Sequence, residues 1–97
     1  MVAALIDLDL HVPACTSLKA KRAVVKSLIA RLRRELNCSV AEVDHQDLWQ
    51  RAALGVAVVS GTHSGARRVA QQVERVVSRE PRVEIIAVAV DLHAPER

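Results

Sequence analysis

The sequence predicts a single α+β domain with elements in the order β-α-β-β-α-β, and three observations carry the prediction. Apolar residues alternate with others near both ends of the chain, two stretches carry apolar residues at helical spacing, and two short apolar runs lie between those stretches. At 97 residues, 51% of them hydrophobic and 26% charged, the chain is one domain over residues 1–97, large enough for one core without disulfide staples.

The first strand occupies residues 2–12. Val2, Ala4, Ile6, Leu8, Leu10 and Val12 share one face, and Leu5, Asp7, Asp9 and His11 share the other. Pro13 stops the ladder and Ser17 offers an N-cap oxygen. Leu18, Val25, Leu28, Ile29, Leu32 and Leu36 then mark an amphipathic helix running to about Asn37. Ser39–Val43 reads as a short strand and Leu54–Ser60 as a better buried one. Between them lies the polar connection from Asp44 to Arg51, which holds Trp49, the only aromatic residue. Gly61 to Gly65 breaks the strand, and Ala66, Val69, Ala70, Val73, Val76 and Val77 form the stripe of a second helix that Pro81 ends. Val83–Leu92 alternates again, with Ile86, Val88, Val90 and Leu92 opposite Ile85, Ala87, Ala89 and Asp91.

Two right-handed β-α-β halves interleave into a four-stranded antiparallel sheet with both helices on one face, the ferredoxin-like arrangement. In the alternative, the second strand is too short to pair and the hairpin is a loop excursion. The opposite sheet face stays open and presents Leu5, Asp7, Asp9, Val59, Ile85, Ala87 and Ala89. With no ring to stack a base, this face excludes RNA binding of the RRM type and suits a protein surface, including a second copy of the chain, or plain solvent.

The net charge of +3 hides an asymmetry. The first helix carries Lys19, Lys21, Arg22, Lys26, Arg31, Arg33 and Arg34 against Glu35, and the second carries Arg67, Arg68, Arg75 and Arg79 against Glu74. Eleven cations against two acids give the helices +9, while Arg51, Arg82 and Arg97 against nine acids leave −6 elsewhere. Lys19, Arg22, Lys26 and Arg33 fall within about 60° on a helical wheel and form a stripe. Solvated helix faces also need charge, but ordinary surfaces mix the signs. An anionic partner is therefore expected, RNA first, gripped through its phosphates by one basic surface made of both helices.

Other candidates are weaker. The turn Ser60–Gly65 brings a helix N-terminus towards Arg67 and Arg68, an arrangement that attracts phosphate, yet it lacks the lysine of a Walker loop. Asp44, His45 and Asp47 invite an acid-base or metal reading, but an exposed connection without a second histidine at ligand spacing favours a recognition loop or a surface turn. His11 and His93 end antiparallel strands and lie far apart. No hydrolase, metalloprotease or nucleotide motif is present, and Pro13-Ala14-Cys15-Thr16 lacks the arginine an acylphosphatase needs. No enzyme activity, cofactor or metal is expected. Cys15 and Cys38 have no CxxC or ligand spacing and are expected to be reduced. Without a signal peptide or a membrane-length apolar run, a soluble cytoplasmic protein is expected.

The stretches Ser17-Leu18-Lys19-Ala20-Lys21-Arg22 and Asp44-His45-Gln46-Asp47-Leu48-Trp49-Gln50-Arg51 resemble the bacterial YlxP-like family, and the likeness spans the whole chain. That resemblance implies a ferredoxin-like α+β fold without established activity. It also implies a setting among genes for translation initiation and ribosome maturation, hence a role at the ribosome or on RNA. It carries Ser17, Leu18, Lys19, Lys21 and Arg22 into the first helix and Asp44, His45, Trp49, Gln50 and Arg51 into an interaction loop. The RNA-contacting set expected from charge is Lys19, Lys21, Arg22, Lys26, Arg33, Arg67 and Arg68; the alternative is a homodimer or protein module using the open sheet face.

Overall fold

The computed structural model describes residues 1–96, so Arg97 lies outside the described residues. The elements are β1 (Val2–His11), α1 (Leu18–Glu35), β2 (Ser39–Asp44), β3 (Arg51–Ser60), α2 (His63–Ser78) and β4 (Glu84–His93). The sheet order is β2-β3-β1-β4 with every pair antiparallel, which is the ferredoxin-like arrangement. β2 pairs with β3 from Ser39 opposite Ala57 to Asp44 opposite Ala53, so it is a true strand rather than a loop excursion. β3 starts at Arg51, three residues before the expected Leu54, because β1 remains paired out to His11.

The core is the alternating face of β1 (Val2, Ala4, Ile6, Leu8, Leu10), the matching face of β3 (Ala52, Leu54, Val56, Val58) and the helix stripes. Leu28 and Leu32 are almost wholly buried, and each contributes roughly 2 kcal/mol. Ser17 Oγ accepts from the Ala20 N–H at 3.0 Å and Thr62 Oγ1 from the Gly65 N–H at 3.0 Å, so both helices start on side-chain caps. α1 stops at Glu35 instead of Asn37 because Leu36 turns extended.

Two features depart from the sequence reading. β4 has a bulge: Asp9 pairs with Ala87 but Leu10 with Ile85, so one residue, Ile86, is extra. The bulge reverses the alternation, packing Ile85 against the core and leaving Ile86 51% exposed, whereas strict alternation put Ile85 on the open face. The second departure is the stagger of the helices. They run antiparallel and meet through their C-terminal halves, with Arg79 Nη2 3.6 Å from Glu35 Oε1 and Arg82 Nη2 donating to Ser27 Oγ at 3.3 Å. Their N-terminal halves reach opposite ends of a body 49 × 22 × 18 Å. By helix rise, roughly 30 Å separates Lys19 from Arg67 along the long axis. The basic surface is therefore elongated, with Lys19 and Arg67 at its two ends and Arg31, Arg34, Arg75 and Arg79 beside Glu35 in its middle.

Candidate functional site

From Arg22 to Arg33 α1 lies along the edge strand β2, and a groove of about 530 Å³ runs between them. Arg22, Lys26 and Arg33 line it with Val25, Ile29, Ala30, Val40, Ala41 and Glu42. Lys19 stands exposed one turn earlier. Among the described residues, Lys19, Arg22 and Lys26 make no ion pair. Arg33 is partly committed, since its Nη2 donates to the Val40 carbonyl at 2.9 Å. Glu42, the one acid of the groove, is taken by Lys21 Nζ at 2.9 Å, so the cations are uncompensated.

Lys21 itself does not belong to the phosphate-contacting set. It is wholly buried, and besides Glu42 its Nζ donates to the carbonyls of His45 at 2.8 Å, Gln46 at 3.2 Å and Arg51 at 3.4 Å. An ammonium out of reach of solvent contacts no external anion; here it serves as an internal cation around which the β2–β3 connection folds. Its place on the apolar side of the helix was the sequence signal for this role.

The same connection is fastened elsewhere. The Gln50 backbone carbonyl accepts from the Val12 N–H at 2.8 Å, and its side-chain Nε2 donates to the carbonyls of Pro13 and Cys15 at 3.3 and 3.4 Å. Arg51 Nη2 donates to both Asp9 carboxylate oxygens at 2.9 and 2.8 Å. His45 takes a left-handed backbone, φ 61°, with its N–H bound to Asp44 Oδ1 at 2.7 Å and its ring Nε2 3.8 Å from Asp9. Of the expected interaction loop, Gln50 and Arg51 are therefore turned to internal contacts, while Asp44 and Trp49, the latter 53% exposed, face outwards with Leu48.

At the other end, Arg67 and Arg68 are exposed on the first turns of α2, but the helix N-terminus is occupied by its own Thr62 cap. Arg67 flanks a hollow beside β4 rather than facing α1. On the open sheet face a shallow hollow of about 620 Å³ is lined mostly by small and acidic residues, Asp7, Ser39, Ala41, Gly55, Ala57, Ala89 and Asp91 among them. His11 pairs with Glu84, with Nδ1 3.3 Å from its carboxylate, and His93 pairs with Asp91 at 2.9 Å; His93 lies opposite Ala3, at the far end of β1 from His11. Among the described residues no three His, Cys, Asp or Glu side chains cluster as metal ligands, and no helix is long and apolar enough to cross a membrane. Both cysteines are free, and burial pushes the Cys38 thiol up despite the nearby Arg33.

Sequence reasoning missed the buried Glu80–Arg82 pair. Glu80 is buried, and its carboxylate receives Arg82 Nη2 at 2.7 Å, Arg82 Nε at 3.1 Å and the Arg82 N–H at 2.9 Å. A glutamate before a proline carries no periodic signal.

These features define a small ferredoxin-like α+β protein whose first helix and edge strand form a cationic groove. Residues 3–90 match the family described as "Protein of unknown function (DUF503)", and the chain belongs to that family. It is 37% identical over 68 residues to the uncharacterized protein YlxP of Bacillus subtilis (strain 168), covering 70% of this chain and 74% of that one. Two de novo designed proteins share the fold. One, LFR1 1 with ferredoxin fold, has a TM-score of 0.56 at 17% identity over 93% of this chain and 85% of its own. The other, Foldit4, has 0.54 at 12% identity over 97% of this chain and 99% of its own. At such identities the likeness speaks to fold alone.

Proposed function

We propose that this protein is a cytoplasmic accessory factor, a binding module rather than an enzyme, that grips the phosphate backbone of structured RNA, ribosomal RNA first. The observation that carries the reading is the groove between α1 and β2, where Arg22, Lys26 and Arg33 stand with their only acid neutralised by Lys21. Lys19 extends the stripe by a turn, so four cations of one sign line about 20 Å of helix. Affinity built on phosphate contacts is ionic and releases counterions, which makes it fall steeply with salt. Arg67 and Arg68, at the opposite end, act as a second anchor only for RNA long enough to reach them. Trp49 and Leu48, exposed on the β2–β3 connection, add apolar contact area.

The test is co-sedimentation with purified ribosomal subunits across a salt series, with wild type beside a variant reversing Lys19, Arg22, Lys26 and Arg33 together. Binding that weakens with salt and disappears in the variant supports the proposal. Unchanged affinity in the variant at low salt overturns it.

A further inference from the structure

The two edges of the sheet are treated differently. β2 is six residues long, α1 covers its Val40, and its Val40 and Glu42 carbonyls accept side-chain donors from Arg33 and Gln46 at 2.9 and 3.4 Å. Such devices blunt an edge against pairing with another chain. β4 is ten residues long; its bulge at Ile86 lies before the Val88–Leu92 stretch, and among the described residues its backbone takes no such side-chain donor. Its centre, Ile85-Ile86-Ala87-Val88-Ala89-Val90, is uncharged, without proline and rich in β-branched residues, the composition that most readily adds a strand. Ile86 and Val90 are 51% and 48% exposed, and Val88, Val90 and Leu92 floor a hollow of about 300 Å³ that α2 leaves uncovered.

We propose that a second copy of this chain covers the edge, β4 pairing antiparallel with β4 about a twofold axis to make one continuous eight-stranded sheet. The occupant follows from charge. Arg67, Gln71 and Glu74 form the wall that α2 raises beside the hollow, and neither Arg67 nor Glu74 has an ion-pair partner among the described residues. α2 begins beside the end of β3 that pairs with Val2, the same end at which His93 pairs with Ala3, so Arg67 lies towards Leu92 and Glu74 towards Val88. A twofold axis near Val90 therefore passes near Gln71, and it sets Arg67 of each copy against Glu74 of the other. α2 lies over β1, so three strand spacings, about 14 Å, separate the helix axes. An arginine and a glutamate bridge that gap above a floor of Val88, Val90 and Leu92 from both copies. The contact is isologous and closes, leaving no free β4 edge. This surface is distinct from the groove between α1 and β2 and from the open sheet face; it engages Arg67 with Glu74 of the other copy, which leaves Arg68 as the second anchor for RNA.

Sedimentation equilibrium at tens of micromolar tests it. Wild type is expected as a dimer. Arg67→Glu alone and Glu74→Arg alone each place like charges across both contacts and are expected to weaken dimerisation roughly tenfold. Mixing the two variants restores two opposite-charge pairs, so the heterodimer returns to near wild-type affinity. Val90→Lys, at an exposed position, gives a folded monomer by circular dichroism, and Val59→Asp on the open face leaves the dimer intact. A monomeric wild type, a mixture no tighter than its separate components, or loss of the dimer in Val59→Asp with its retention in Val90→Lys overturns the proposal.

Discussion

Lys21 Nζ lies 2.9 Å from Glu42 Oε2 with no part of the lysine in solvent, and the carbonyls of His45 and Gln46 complete its surroundings. The pair joins the first turn of α1 to the end of β2, and the carbonyls shape the connection that follows. Removing the lysine strands a largely buried carboxylate and leaves the His45 carbonyl, held in a left-handed residue, with less to hold it. Breaking one side of a buried pair costs about 3 kcal/mol or more. Lys21→Met is therefore expected to lower the urea midpoint by that equivalent and to raise amide exchange across residues 44–51. Adding Glu42→Leu recovers part of the loss, because the stranded charge goes with it.

Glu80 supplies a pH signature. Hydrogen bonds and attraction from Arg82 hold its carboxyl down at about 2 against an ordinary 4.5. A lowered folded value means that the stabilisation is complete above about 4.5 and is lost as pH falls towards 2. Arg82 is half in solvent, which screens the pair, so the contribution is about 1–2 kcal/mol rather than the full shift. Glu80→Gln is expected to lose that amount in thermal melts at pH 7 and to match wild type near pH 2.

The groove makes a quantitative claim on salt dependence. Each cation that meets a phosphate adds about 0.9 to the slope of log affinity against log salt. Arg22→Gln and Lys26→Gln are each expected to reduce the slope by about that amount, uniformly across RNA sequences. Arg68→Gln reduces it only with RNA long enough to span both ends of the molecule. Fluorescence anisotropy with short and long duplexes separates the cases, and equal effects of Arg68→Gln on both would show that α1 is not the primary contact.

Element order, sheet topology and most of the core were legible because they rest on local periodicity, as Val2 to Leu10 and Ala66 to Val77 illustrate. Ser17 was legible as a cap because cap chemistry is local too. Features that depend on distant partners were not. Charge groups Lys21 with the RNA-contacting cations although its place on the apolar side of the helix signals a buried partner; which partners it finds, Glu42 and carbonyls 24 to 30 residues away, no local pattern specifies. A helical wheel places Arg22 and Arg67 on their own helices, but it holds no information about the stagger that carries them to opposite ends.

The bulge in β4 gives the sharpest contrast between pattern and structure. Alternation pairs Ile85 with Val59 as open-face residues, whereas the extra residue Ile86 turns Ile85 back against the core and Val59 remains 68% exposed. A carboxylate at position 85 would have to be desolvated among apolar neighbours, at a cost of about 2–3 kcal/mol. The same group at 59 stays hydrated and costs within about 0.5 kcal/mol. Urea titration of Ile85→Asp and Val59→Asp is expected to show a large loss for the first and almost none for the second. Equal losses would mean that the two side chains share a face and that the register does not shift at Leu10.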